Sequence, residues 1–136
     1  MAISKIETDS LASGLVAPTA TALTTASGSA PSYSARAWVN FNGTGTVAIR
    51  AAGNVSSITD NGTGDYTVNF TTAMPDVNYT AVCSTSGNGG NNSVVVLPFT
   101  SGTSQITPTT TQLRLATVQA VTAIIDSPYI QVSVFR

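Results

Sequence analysis

The chain predicts an all-β fold: an antiparallel β-sandwich or jelly-roll-like domain of about eight strands, preceded by an extended N-terminal arm. Three observations predict it. From Ala37 onward, apolar and polar residues alternate with period two in short runs, the spacing that buries one side of a strand and wets the other. The gaps between runs are filled by Gly, Asn, Asp and Pro, which tolerate positive φ or preset a bend. No window of helical period lasts beyond two turns in this region, so folds of the βαβ kind are excluded.

In chain order, residues 1–36 read as an arm and docking segment and residues 37–136 as the β-sandwich domain. The arm opens with Ile3, Ile6, Leu11, Leu15 and Val16, whose spacing fits a helical face only loosely. Thr8, Asp9 or Ser10 caps at most one short helix there, and Gly14 and Pro18 stop it within two turns, too short to stand without packing. From Ala17 to Ala35, 17 of 19 residues are Ala, Thr, Ser, Pro or Gly, with Leu23 and Tyr33 the exceptions. Such a stretch builds no core of its own. Ordering it costs roughly 20–40 kcal/mol at about 1–2 kcal/mol per residue. Offsetting that needs something like 800–1,600 Å² of apolar burial at ~25 cal/mol per Å². Ala and Thr methyls lying on their own domain do not supply this, so the arm is expected to order against neighbouring chains. Ile3, Ile6, Leu11, Leu15, Val16 and Leu23 are the candidate assembly residues.

The strand runs are Ala37 to Phe41, Thr46 to Ala51, Val55 to Thr59, Asp65 to Phe70, Asn78 to Ser84, Ser93 to Phe99, Thr111 to Val118 and Tyr129 to Phe135. In the last, Ile130, Val132 and Val134 share one side, while Gln131, Ser133 and Phe135 share the other. In the fourth, Tyr66, Val68 and Phe70 share a side. Turn formers separate the runs at Asn42-Gly43-Thr44-Gly45, Asp60-Asn61-Gly62-Thr63-Gly64, Met74-Pro75-Asp76, Gly87-Asn88-Gly89-Gly90 and Asp126-Ser127-Pro128. With the last run reaching Arg136, the chain is expected to end within a sheet.

Composition narrows the function classes. Charged residues make up 8% of the chain, against roughly a quarter in an average soluble protein. The 22 Thr, 16 Ser, 9 Asn and 11 Gly mean that solubility rests on hydroxyls and amides. A net charge of −1 offers no basic field for phosphate, which excludes nucleic-acid binding as a main function. No window approaches the apolar length of a membrane span and no signal-peptide core opens the chain, so membrane insertion and export by signal peptide are not expected. The sequons at Asn42, Asn54, Asn61, Asn78 and Asn91 therefore read as turn and strand residues.

Candidate chemistry is sparse. The chain has no His, the commonest general base and metal ligand. Lone Cys83 has no internal disulfide partner, and no metal, cofactor or catalytic set is expected. Asp60 and Asp65 flank a Gly-rich turn, where paired carboxylates can bind a hard cation or act on a sugar. Asp and Asn before Gly also satisfy the backbone of such a turn, and that reading is preferred. The Ser and Thr hydroxyls lack an activating base other than Lys5 in the arm, so the chain reads as no enzyme.

Aromatics are the better place to look for recognition. Tyr66, Phe70, Tyr79 and Phe99 are assigned to the interior, and Trp38 to the core or a subunit interface in preference to a ligand contact. Arg50 and Arg114 lie inside strands, where a guanidinium either faces solvent or pairs with one of the few carboxylates, and solvent is the expected side. The loop from Ser86 to Asn92 is polar and long for a hairpin, which makes Asn88, Asn91 and Asn92 candidates for an exposed contact surface.

The stretch Ala37-Trp38-Val39-Asn40-Phe41-Asn42-Gly43-Thr44-Gly45-Thr46-Val47-Ala48-Ile49-Arg50, then Asn54 through Phe70 and Met74-Pro75-Asp76-Val77-Asn78-Tyr79, resembles a module of tailed-bacteriophage virion proteins. It looks most like the C-terminal module of tail fibres of marine and freshwater phages, cyanophages included. The likeness is specific over residues 37–80 and looser over 81–136. It implies a homotrimeric, non-enzymatic virion component with a β-sandwich-like domain, made in the bacterial host cytoplasm and assembled with other virion proteins. The 36 residues before the module hold no shaft and no coiled coil. That departs from a free-standing receptor-binding fibre and leaves a fibre tip or adaptor docked by its arm, or a decoration protein on the capsid lattice; the leading expectation is the tail appendage, its β domain turned towards a host-surface glycan. A capsid decoration protein whose arm bridges capsomers, and a stand-alone carbohydrate-binding protein, are the alternatives.

Overall fold

The computed structural model describes residues 34–86, 94–101, 104–119 and 123–136. The strand-bearing unit runs from Ala35 to Arg136. Its strands are β1 (Ala37–Asn42), β2 (Ala48–Gly53), β3 (Val55–Gly62), β4 (Asp65–Phe70), β5 (Thr80–Thr85), β6 (Val94–Pro98), β7 (Thr100–Ser101), β8 (Ser104–Gln105), β9 (Gln112–Gln119), β10 (Ala123–Ile124) and β11 (Ile130–Phe135). Eight of these have five residues or more and fall on the eight predicted runs. Among the described residues there is no helix.

Two antiparallel sheets form the sandwich. One has the order β2-β1-β11-β5; the other has β10-β9-β4-β3, with β6 also on β9. Strands β4 and β6 both pair with β9 at Leu115 and Ala116, so they lie on its opposite edges. Beyond Ala116, the partner on the β4 edge becomes β10. Thr117, fully buried at that handover, donates its N–H to the Gly64 carbonyl at 2.8 Å and accepts at its own carbonyl from the Ile125 N–H at 3.1 Å. The two-residue strands β7 and β8 form a separate pair.

The sheets meet along the inward rows that the alternation sets. In β1 and β11 the inward pairs are Ala37 with Val134, Val39 with Val132 and Phe41 with Ile130, all buried. From the other sheet come Tyr66, Val68, Phe70, Leu113 and Leu115. Each buried Val, Leu, Ile or Phe among them contributes roughly 1.5–3 kcal/mol. Phe41 and Tyr66 join the two sheets edge to face, with centroids 5.3 Å apart. The interior assignment holds for Tyr66, Phe70 and Tyr79, while Phe99 is partly buried, its ring 5.5 Å from that of Tyr79.

A polar corner closes one end. The Tyr66 hydroxyl lies 2.7 Å from both the Gly43 carbonyl and Asp126 Oδ1, and Asp126 Oδ1 also accepts the Gly64 N–H at 2.7 Å. Gly64 has φ +62°, and a Cβ there would stand 2.6 Å from Ile124 and from the Ile125 carbonyl, so only glycine fits.

Candidate functional site

The outward faces of the two sheets differ in chemistry. On the β3-β4-β9 face the polar side chains satisfy one another. Asn69 Nδ2 donates to Ser57 Oγ at 3.0 Å and to Thr59 Oγ1 at 2.9 Å, and Asn61 Nδ2 donates to Thr67 Oγ1 at 2.9 Å. Arg114 and Asp65 form a two-pronged ion pair, Nε to Oδ1 at 2.8 Å and Nη2 to Oδ2 at 3.0 Å. Arg114 therefore does not simply face solvent as its sequence position suggested. Cross-strand neighbours place a mostly buried carboxylate beside it, and a two-pronged guanidinium bond outweighs hydration at such a site. Asp60 accepts the N–H of Gly62 at 2.9 Å, the turn role preferred above, so the two carboxylates of that turn are engaged separately. Asp65→Ala is expected to cost about 1.5–3 kcal/mol, the value of hydrogen bonds to a charged group, read as a lower denaturant midpoint at unchanged slope.

The outward face of the β2-β1-β11-β5 sheet is built otherwise. Its first row crosses the strands as Gly53, Trp38, Ser133 and Val82, and the next as Ala51, Asn40, Gln131 and Ser84. Trp38 is 43% exposed and Val82 61% exposed. Of the two places expected for Trp38, core or subunit interface, the core is excluded by the strand's own parity: Ala37, Val39 and Phe41 take the inside, so the indole is turned out. Its pyrrole edge fills the place where a Gly53 side chain would stand, since a Cβ there would lie 2.4 Å from Nε1. Gln131 accepts a hydrogen bond from Ser84 at 2.7 Å, while Asn40 Oδ1 is buried and has no partner among the described residues.

At the far end of this face a bulge gives β2 an extra residue. Asn40 pairs with Ala51 and Phe41 with Ile49, leaving Arg50 between. Arg50 is exposed, as expected, and its guanidinium carbon stands 4.2 Å over the ring of Tyr129, which is itself 47% exposed just before β11. The four strands of this sheet contain one charged side chain, Arg50.

No family model, curated protein or solved structure matches the chain. The site therefore stands on its own geometry. Of the residues singled out from sequence, Trp38 is on this face. Ile3, Ile6, Leu11, Leu15, Val16 and Leu23 of the arm, and Asn88, Asn91 and Asn92 of the contact loop, lie outside the described residues. Cys83 faces inward, and burial pushes its thiol up to about 12, which leaves it unreactive at neutral pH. Among the described residues no three acidic, His or Cys side chains gather, and no helix is long and apolar enough to cross a membrane.

Sequence reasoning did not single out Asn40, Gly53, Tyr129 or Gln131 as a group. Strand parity puts Gln131 and Ser133 on one side, but nothing local says that β1 lies beside β11, which brings Trp38 next to them.

Proposed function

We propose that the chain is a structural, non-enzymatic component of a tailed-bacteriophage virion: a homotrimeric tail-fibre or tail-appendage protein, anchored to other virion proteins by its N-terminal arm. The observation that carries this reading is the outward face of the β2-β1-β11-β5 sheet, where exposed Trp38 and Val82 sit among amides and hydroxyls with one charge. A face of that kind suits short-range contact and gives little long-range attraction to wrong partners. The likeness of residues 37–80 to tail-fibre modules supports it further, since that stretch supplies β1 through β4 and the first residue of β5.

Copy number in purified particles tests the location. Tens of copies per virion fit a tail appendage, and hundreds fit a capsid decoration protein. Deleting residues 1–35 is expected to leave a folded β domain that no longer enters particles. Truncated protein that loads normally overturns the anchoring role. Exposed Trp38 also favours a second reading, a stand-alone carbohydrate-binding protein, which predicts glycan binding and no particle association at all.

A further inference from the structure

We infer that the outward face of the β2-β1-β11-β5 sheet is a binding track for a neutral oligosaccharide, with Trp38 and Tyr129 as its stacking rings and Asn40 and Gln131 as the hydrogen-bonding amides between them. The inference names the ligand class of the short-range contact proposed above and rests on that part of the reading.

Spacing comes first. Trp38 pairs with Ser133, and Tyr129 lies four residues back along the same strand direction, about 13 Å away at roughly 3.3 Å per residue. That length takes more than one sugar ring. Both rings are held in place: the indole by the missing side chain of Gly53, the phenol by the guanidinium over one of its faces. Rings fixed before binding lose little freedom on contact.

Polarity decides between occupants. Interfaces between protein copies put apolar residues at the centre and polar ones at the rim. Here the arrangement is reversed, because Asn40, Gln131 and Ser84 occupy the middle row and the large apolar side chains flank it. A polyhydroxylated ring matches that order: its apolar face stacks on an aromatic while its hydroxyls meet amides. Charge favours a neutral ligand: the four strands carry no carboxylate and one cation, Arg50, which stands over Tyr129, while Arg36, two residues before Trp38, is engaged by the Arg136 carbonyl at 2.6 Å.

The chain has a single Trp, so its fluorescence reports on this face alone. The full-length protein is titrated with chitohexaose, cellohexaose and maltohexaose, and applied to a printed glycan array. Binding of at least one neutral glycan, weakly dependent on salt, is expected. Trp38→Ala, which removes the fluorophore and is therefore measured on the array and by isothermal titration calorimetry, is expected to weaken it about tenfold or more. Gly53→Ala, which keeps the indole but displaces it, is expected to shift the emission and weaken binding several-fold, as is Asn40→Ala without the emission change. Ser57→Ala, on the outward face of the other sheet, serves as the control that leaves binding unchanged. Far-UV circular dichroism confirms that each variant is folded. The proposal is overturned if the folded protein binds no neutral glycan, if only charged glycans bind, or if Trp38→Ala binds as well as the parent. It is equally overturned if Trp38→Ala breaks an oligomer into monomers without changing glycan affinity, which would make the face a contact between copies. Protein that enters particles but binds no sugar refutes the track and leaves the virion reading intact; sugar binding without particle entry does the reverse.

Discussion

Tyr66→Ala is expected to remove about 3–5 kcal/mol of stability, the range for deleting a large buried aromatic. Net stabilities of small domains run from about 5 to 15 kcal/mol, so this single change brings the fold close to its limit. Two losses combine. The ring is fully buried and meets Phe41 of the opposite sheet edge to face, so its removal opens a cavity between the sheets. Its hydroxyl is the group that ties Gly43, in the turn after β1, and Asp126, before β11, to the start of β4. Tyr66→Phe separates the two losses: it keeps the ring and is expected to cost about 1–3 kcal/mol for the unpaired oxygens left behind. Guanidinium denaturation followed by far-UV circular dichroism measures both. Equal costs for Phe and Ala would mean that the polar corner, not the packing, holds the sheets together; an Ala cost near zero would put the ring outside the core.

The legible part of this fold is the part that local alternation writes. Ile130, Val132 and Val134, or Tyr66, Val68 and Phe70, declare their inward side without any knowledge of partners, and Gly-rich gaps mark where each strand stops. The same parity holds the answer for Trp38, because Val39 and Phe41 already claim the interior; what misleads there is the general tendency of tryptophan to be buried. Pairing between distant strands is not written locally. Arg114 meets Asp65 across 49 residues, and β1 meets β11 across nearly the whole domain, so neither the ion pair nor the row joining Trp38 to Ser133 could be read before the register was known. The short strands β7, β8 and β10 have two residues each, too few for a period to show. Phe99 is hidden for another reason: its φ of +58° is a turn conformation rare for a bulky residue, and it is held by hydrogen bonds to Arg114 and Ile106 that only the folded chain provides.

Raising the pH above about 9 is expected to unfold the domain progressively, through protons that the folded state keeps and the unfolded chain gives up. Three groups point the same way. Burial pushes the Cys83 thiol up to about 12. Burial raises the Tyr66 phenol well above its ordinary 10, and the hydrogen bond and charge of Asp126 raise it further. Burial also raises Tyr79, whose hydroxyl lies 3.0 Å from the Thr109 carbonyl and 3.1 Å from that of Gln112. Both phenols thus face oxygen acceptors, against which an ionised oxygen would be set, and the backbone N–H of Gly64 beside Tyr66 offsets this only in part. With folded values above unfolded ones, the unfolded state binds fewer protons throughout the window. Stability is then whole below about 9 and drains away as pH climbs towards the folded values. At roughly 1.4 kcal/mol per pKa unit, Cys83 alone accounts for a loss on the order of a few kcal/mol by pH 12. Asp76 works in the opposite sense. The Arg136 hydrogen bond holds its carboxyl below the ordinary 3.8, so its contribution is present above that value and fades only in acid, and its exposure to solvent keeps it small. Urea titrations from about pH 7 to about 11 measure the slope, and Cys83→Ala assigns it: the variant is expected to lose stability later and less steeply than the parent, its remaining decline belonging to the two phenols. A parent protein equally stable at pH 8 and pH 11 would mean that these three side chains meet water in the folded state, which is incompatible with a closed core between the sheets.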